Sequence, residues 1–421
     1  MSRSNFPLYF LSSLVCLASA EQDSVNATTA SPLFGAYFAN WAQYHKAPYT
    51  HTPASLAPII GRTDRLNYGF VYFCPPAGTS PMPYWSVAPF GSCTDATEFQ
   101  LMSVEPKDPQ FIQQIVAYKK QNPNLKVIAS IGGWNFPSAY FSKMVASSAS
   151  RAKFITSAKS FMASHSIDGI DLDWEFPCSA PRNDPVKISC TQFRQSQDAG
   201  GSCPADTNNL LTFVQELRQG LGSGAIISIA SQAGEKNWEA MNIKAVSQYI
   251  DYYNVMTYDY TVPDVADGSL MSPNAPLYTP DPPASQMSID YSIQGYLNAG
   301  VPASKILVGI PFYGHTWYQT GMANWQKFGQ KGSIQGECCG PFKQTFGGKP
   351  GQACSQCGVM MYNEILAALG GDESQVYYDN KTQSAIAYFS HEGADSYTEA
   401  GTWVSYANPA SIQAIVAYAL K

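Results

Sequence analysis

Charge is scarce in this chain. Only 13% of its 421 residues are Asp, Glu, Lys or Arg, the formal net charge is −6, and no basic run occurs anywhere. That excludes nucleic acid and an anionic membrane surface as expected partners, because both are recognised through clustered Lys and Arg. After the first residues no apolar stretch is long enough to span a bilayer. No glycine-rich phosphate loop follows the first strand pattern, which disfavours a dinucleotide fold. Aromatic residues, by contrast, make up 13% of the chain. Many of them must be core, but a surplus at a surface suits stacking on a flat, uncharged ligand such as a sugar ring.

Residues 1–20 read as a secretory signal. Arg3 supplies positive charge, Phe6 to Leu17 is mostly apolar, and Ala18-Ser19-Ala20 fits a small-x-small cleavage site. The expectation is a secreted, extracellular protein and a monomer, with residues 21–32 a loose leader. Cysteine usage agrees. Cys16 leaves with the signal, and Cys74, Cys93, Cys178, Cys190, Cys203, Cys338, Cys339, Cys354 and Cys357 remain. In an oxidising compartment most should pair, and nine being odd leaves at least one free or paired outside the chain. The long loop between Cys74 and Cys93 closes on itself if those two pair. Two glycosylation sequons, at Asn26 and Asn380, are compatible with the same route.

Strand and helix patterns then alternate. Strands are expected at 33–38, 65–73, 126–131, 168–175, 226–230, 252–260 and 306–313. Helices are expected at about 108–121, 149–165, 206–221 and 289–299, with Asp108 as a cap and Pro109 in the first turn. Alternation without doubling back indicates α/β architecture with a parallel sheet. Reactive side chains fall at the C-terminal ends of several strands, the layout of a barrel enzyme. From about residue 315 the rhythm breaks. Residues 316–390 read as a small α+β insertion, so the barrel comprises 33–315 and 391–421. Its four cysteines, Cys338, Cys339, Cys354 and Cys357, could bind zinc, but no His completes the spacing and disulfides are preferred. No metal and no cofactor is expected.

The stretch Asp168-Gly-Ile-Asp-Leu-Asp-Trp-Glu175 organises the rest. At a strand's period of two, Asp171, Asp173 and Glu175 share one face, and Ile170, Leu172 and Trp174 the other. A central strand of a parallel sheet is buried on both faces. Three carboxylates there cannot all ionise cheaply, so at least one is held protonated near neutral pH, as a general acid must be.

This stretch resembles the signature of glycoside hydrolase family 18, the chitinases. Four other motifs occur in the family's order: Tyr37-Phe-Ala-Asn-Trp-Ala-Gln-Tyr44, Ser130-Ile-Gly-Gly-Trp134, Met256-Thr-Tyr-Asp-Tyr260 and Gly309-Ile-Pro-Phe-Tyr-Gly314. The resemblance implies a TIM (β/α)8-type barrel with an α+β insertion, and retaining hydrolysis of β-1,4-linked N-acetylglucosamine in chitin or its oligosaccharides. The family is a substrate-assisted exception to two-carboxylate catalysis. By resemblance Glu175 is the acid, Asp173 orients the substrate's acetamide, Asp171 is its deeper partner, and Tyr258 holds the acetamido oxygen. Met256 and Asp259 line the same subsite, Ser130 and Tyr37 lie beneath the aspartates, and Trp134, Phe70, Trp41 and Tyr313 are sugar contacts.

Three departures stand out. Relatives continue into an eighth strand bearing a Trp, whereas this sequence ends at Lys421, so the barrel is expected to be C-terminally incomplete, with strands one and seven unpaired. His315 stands where relatives often have Arg, and Ala407-Asn408 where an acidic residue is usual. The competing readings are a chitin-binding lectin of the same fold, against which the presence of Glu175 weighs, and a truncated, inactive chain.

Overall fold

The computed structural model describes residues 13–17, 33–45, 50–78, 93–180, 182–189, 192–198, 200–263, 269–281, 287–332, 358–395 and 398–420. Seven parallel strands form the barrel: Phe34–Ala39, Arg65–Phe73, Lys126–Gly132, Gly169–Asp173, Ile226–Gln232, Tyr252–Met256 and Ile306–Pro311. They pair in sequence order around the ring, which is the consequence of one crossover after another on the same side. Their outward faces carry Val127, Ala129, Ile131, Ile170, Leu172, Ile227, Ile229, Tyr253 and Val255, all buried beneath helices.

Those helices follow their apolar stripes. Asp108–Ala117 buries Phe111, Ile112 and Ile115, and Ala205–Leu221 buries Leu210, Phe213, Val214 and Leu217 before stopping at Gly222. Ser148–His165 is capped by the Ser147 hydroxyl, which accepts from the Ser150 N–H at 3.1 Å. Phe73, Phe141, Phe154 and Phe213 fill the space between strands and helices, and each such burial is worth about 1.5–3 kcal/mol.

Several expectations are corrected. Asp108 is the first helical residue, not the cap; its carboxylate instead accepts from Val104 and Glu105 N–H groups, both at 2.7 Å, and from Asn40 and Tyr68. A further helix, Ser138–Val145, and a hairpin, Arg182–Ser189 with Gln192–Asp198, were not foreseen. The edges of strands one and seven are not unpaired. Ser13–Leu17 lies between them, antiparallel to both, with Ser13 opposite Tyr37 and Pro311 and Cys16 opposite Phe34 and Val308. Open strand edges need backbone partners, and this extended segment, read from sequence as part of a signal that is removed, supplies them here. Disulfides join Cys74 to Cys93 and Cys178 to Cys203. Cys190, Cys338, Cys339, Cys354, Cys357 and the Asn26 sequon lie outside the described residues.

The second unit is an antiparallel sheet in the order Val359–Met361, Tyr313–Tyr318, Thr402–Tyr406, Ser384–Tyr388 and Val376–Asp379. Thr402–Tyr406, grouped with the barrel on sequence, is therefore its central strand, and Tyr313 already belongs to it. The sheet has its own small core of Met271, Trp317, Met322, Ile386, Tyr388 and Trp403. No helix among the described residues is long and apolar enough to cross a membrane.

Candidate active site

The barrel's inward row is set by register. Ser130 pairs with Asp171 and Asp171 with Ser228, so three polar side chains meet at one level of the interior. Asp171 is fully buried. Its Oδ2 accepts from the Tyr37 hydroxyl at 2.9 Å and the Ser130 hydroxyl at 2.7 Å; its Oδ1 accepts from the Ser228 hydroxyl at 2.7 Å and Asn254 Nδ2 at 3.0 Å. Asn254 Nδ2 also donates to the Tyr37 oxygen at 2.8 Å. Burial pushes the Asp171 carboxyl up, and these four donors pull back against it.

Asp173 stands one pleat nearer the mouth and is also buried. Burial, then the charge of Glu175, then that of Asp171 and a hydrogen bond with Glu175 hold its carboxyl well above the usual range. Its Oδ1 has no hydrogen-bond partner among the described residues. Burial, and then the Asp171, Asp173 and Tyr258 charges, raise the Tyr37 hydroxyl well above its ordinary value.

Glu175 is not on the strand, which ends at Asp173; it sits half-buried on the bend that follows. Trp174 anchors that bend from the outward side. Its ring stacks on Phe141 at 5.4 Å, and its Nε1 donates at 2.7 Å to the Ser138 hydroxyl, which donates at 2.8 Å to the Phe176 carbonyl. The two glycines after strand three allow the close approach. Gly132 has φ +112 and a Cβ there would lie 2.2 Å from the Asp173 carbonyl oxygen; Gly133 has φ +91 and a Cβ would lie 2.6 Å from the Phe70 ring.

Tyr258 and Tyr313 meet edge to face at 6.0 Å. Tyr313 donates to Asp259 Oδ1 at 2.7 Å, and His315 Nε2 lies 2.7 Å from the same oxygen. Burial, then the charges of Asp259 and Tyr258, push the Tyr313 hydroxyl well up, with Glu175 adding to the effect. Asp259 has φ +57, and its N–H donates to Asn274 Oδ1 at 2.9 Å. Asn274 is fully buried, donates from Nδ2 to the Tyr313 carbonyl, and receives the Tyr260 N–H. Met256 ends strand six. At the surface, Trp134 is 45% exposed, and Trp41 stacks on Phe70 at 5.6 Å.

Sequence reasoning thus named the residues at the centre but missed Ser228, Asn254 and Asn274. The first two share the strand periodicity of Asp171 and could have been found by projecting every strand's inward face. Asn274, in a loop, carried no signal.

The family model for Glycosyl hydrolases family 18 matches residues 34–421. The chain belongs to glycosyl hydrolase family 18. Among curated relatives, this family member is 33% identical over 220 residues to Chitinase A1 of Niallia circulans, covering 49% of this chain and 29% of that one. It is 33% identical over 215 residues to Chitinase 1 of Aphanocladium album, covering 50% and 45%. Chitotriosidase-1 of Mus musculus is 27% identical over 324 residues, covering 76% and 60%. The match therefore spans less than two thirds of these relatives' lengths. Two chitinase structures share the fold: one from Trichuris suis, with TM-score 0.65 and 23% identity over 91% of this chain and 87% of that one, and the Group IV chitinase of Ostrinia furnacalis in complex with allosamidin, with TM-score 0.67 and 23% identity over 91% and 88%.

Proposed function

We propose that this family 18 chain is a chitinase, hydrolysing β-1,4-N-acetylglucosamine linkages with retention by substrate-assisted catalysis. The observation that carries the reading is the Asp173–Glu175 couple. Its deeper neighbour Asp171 already faces four donors, so the mobile proton belongs to the pair nearer the mouth. Glu175 gives its proton to the glycosidic oxygen as the C1–O bond breaks. The substrate's acetamido oxygen attacks C1 in its place, and Asp173 steadies the positive charge that develops on the acetamide nitrogen. Glu175, now a carboxylate, takes a proton from water, which opens the cyclic intermediate on the original face. Tyr258 is assigned to the acetamido oxygen, Met256 and Asp259 to the walls, and Tyr37 and Ser130 to the support of Asp171. Trp134, Phe70, Trp41 and Tyr313 supply apolar faces to the sugar rings.

The reading includes secretion, supported by the Cys74–Cys93 and Cys178–Cys203 disulfides. Assay of wild type and Glu175→Gln side by side on colloidal chitin and chitotetraose tests it. Wild type should release oligomers whose first-formed anomer is β by proton NMR, and the variant should bind without turnover. Equal rates from both proteins, or binding by wild type without any release, would reject the assignment.

A further inference from the structure

Strand five, Ile226–Gln232, alternates as a strand must. Ser228 turns inward onto Asp171; Ser231 turns outward, its hydroxyl against Met241 Sδ and the Tyr296 hydroxyl. Gln232 therefore falls on the inward row, at the strand's C-terminal end. Its partner across the ladder is Met256, the last residue of strand six. Ser228 pairs with Asp171, and Gln232 stands four residues beyond Ser228 as Glu175 stands four beyond Asp171. Gln232 ends its strand, and Glu175 lies on the bend just past the end of the neighbouring one, so both belong to the same mouth.

The main chain at Gln232 is fixed, because its carbonyl accepts from the Tyr296 hydroxyl at 2.9 Å. The side-chain oxygen is not engaged among the described residues. Oε1 is shut off from solvent and has no partner among the described residues. A buried amide oxygen left unpaired costs stability, so folding alone gives no reason for glutamine here. Methionine would fill the same space without that cost.

We propose that Gln232 is a substrate-contacting residue. As the sugar ring beside Glu175 docks, the Gln232 amide turns about its last side-chain bond, so that the oxygen shut off in the free protein meets the ring's hydroxyl or acetamido groups. This assignment rests on the saccharide reading above and extends it to a residue that no motif marks. A site that hydrogen-bonds a ring substituent discriminates against rings lacking it, which makes Gln232 a specificity determinant as well as an anchor.

The test uses the full chain carrying Glu175→Gln, so that binding is read without turnover. Chitotetraose affinity is measured by calorimetry with and without Gln232→Met, and melting temperature is followed in parallel. Gln232→Met should weaken binding roughly three- to tenfold, the effect of one lost hydrogen bond, with Tm unchanged or higher. An unchanged Kd overturns the proposal and leaves the saccharide reading standing, since the parent still binds. A lower Tm with an unchanged Kd overturns it in favour of a purely structural role. Failure of the Glu175→Gln parent itself to bind removes the saccharide reading, and this assignment with it.

Discussion

Asp171 and Asp173 lie two residues apart on the same face of one strand, and both are shut away from solvent. Their surroundings are opposite. Asp171 meets hydroxyl or amide donors from strands one, three, five and six, so both its oxygens are spent. Asp173 has an oxygen with no partner and a neighbouring carboxyl, Glu175, with which it shares a hydrogen bond. Burial raises both groups, but donors oppose it at Asp171, while a second carboxyl reinforces it at Asp173. The lesson is that depth raises both carboxyls alike and does not by itself tell them apart. The donors around Asp171 and the second carboxyl beside Asp173 do, and they pull the two groups apart over a single pleat.

The contrast can be broken at four points. The largest effect is expected from Glu175→Gln, which removes the acid and should lower kcat/KM on chitotetraose roughly 10²- to 10⁴-fold, with binding retained. Next comes Asp171→Asn. The new amide turns a donor toward donors already in place, and urea or thermal melts should show a loss of about 2–4 kcal/mol.

Asp173→Asn should act in the opposite sense. The folded protein keeps this proton where the unfolded chain, with a carboxyl near pKa 3.9, has released it. Native Asp173 therefore costs stability as pH rises from about 4 toward its own raised value, and the Asn variant does not. The variant's Tm advantage should widen from pH 4 to pH 7; a constant difference would show that Asp173 is ionised in the folded state. The smallest effect belongs to Ser228→Ala, about 1 kcal/mol. Because the lost donor served a carboxylate, that loss should be larger at pH 7 than at pH 4.

The acidic strand was legible because its period of two is local and its flanking residues are apolar. What the period missed is that Glu175 leaves the strand; the Trp174–Ser138–Phe176 contacts that make the bend join segments far apart in sequence. Barrel strands and long helices could be read for the same local reason. Helix Ser138–Val145 is only eight residues long, and the polar hairpin at 182–198 shows little alternation. On sequence Thr402–Tyr406 groups with the barrel, because its partners, Tyr313–Tyr318 and Ser384–Tyr388, are set by tertiary pairing that no local pattern encodes. Ser228 and Asn254 gain meaning only once the ring closes and brings them to Asp171.

Asp259 is gripped at two points, its carboxylate by Tyr313 and His315 on the antiparallel sheet and its N–H by Asn274, a loop residue whose own N–H reaches Ser405 on that sheet's central strand. The antiparallel sheet and the segment carrying Tyr258 are thus joined through a single residue's side chain and backbone. Any shift of the sheet against the barrel is therefore felt first at Asp259, through hydrogen bonds that reach it from both its side chain and its N–H.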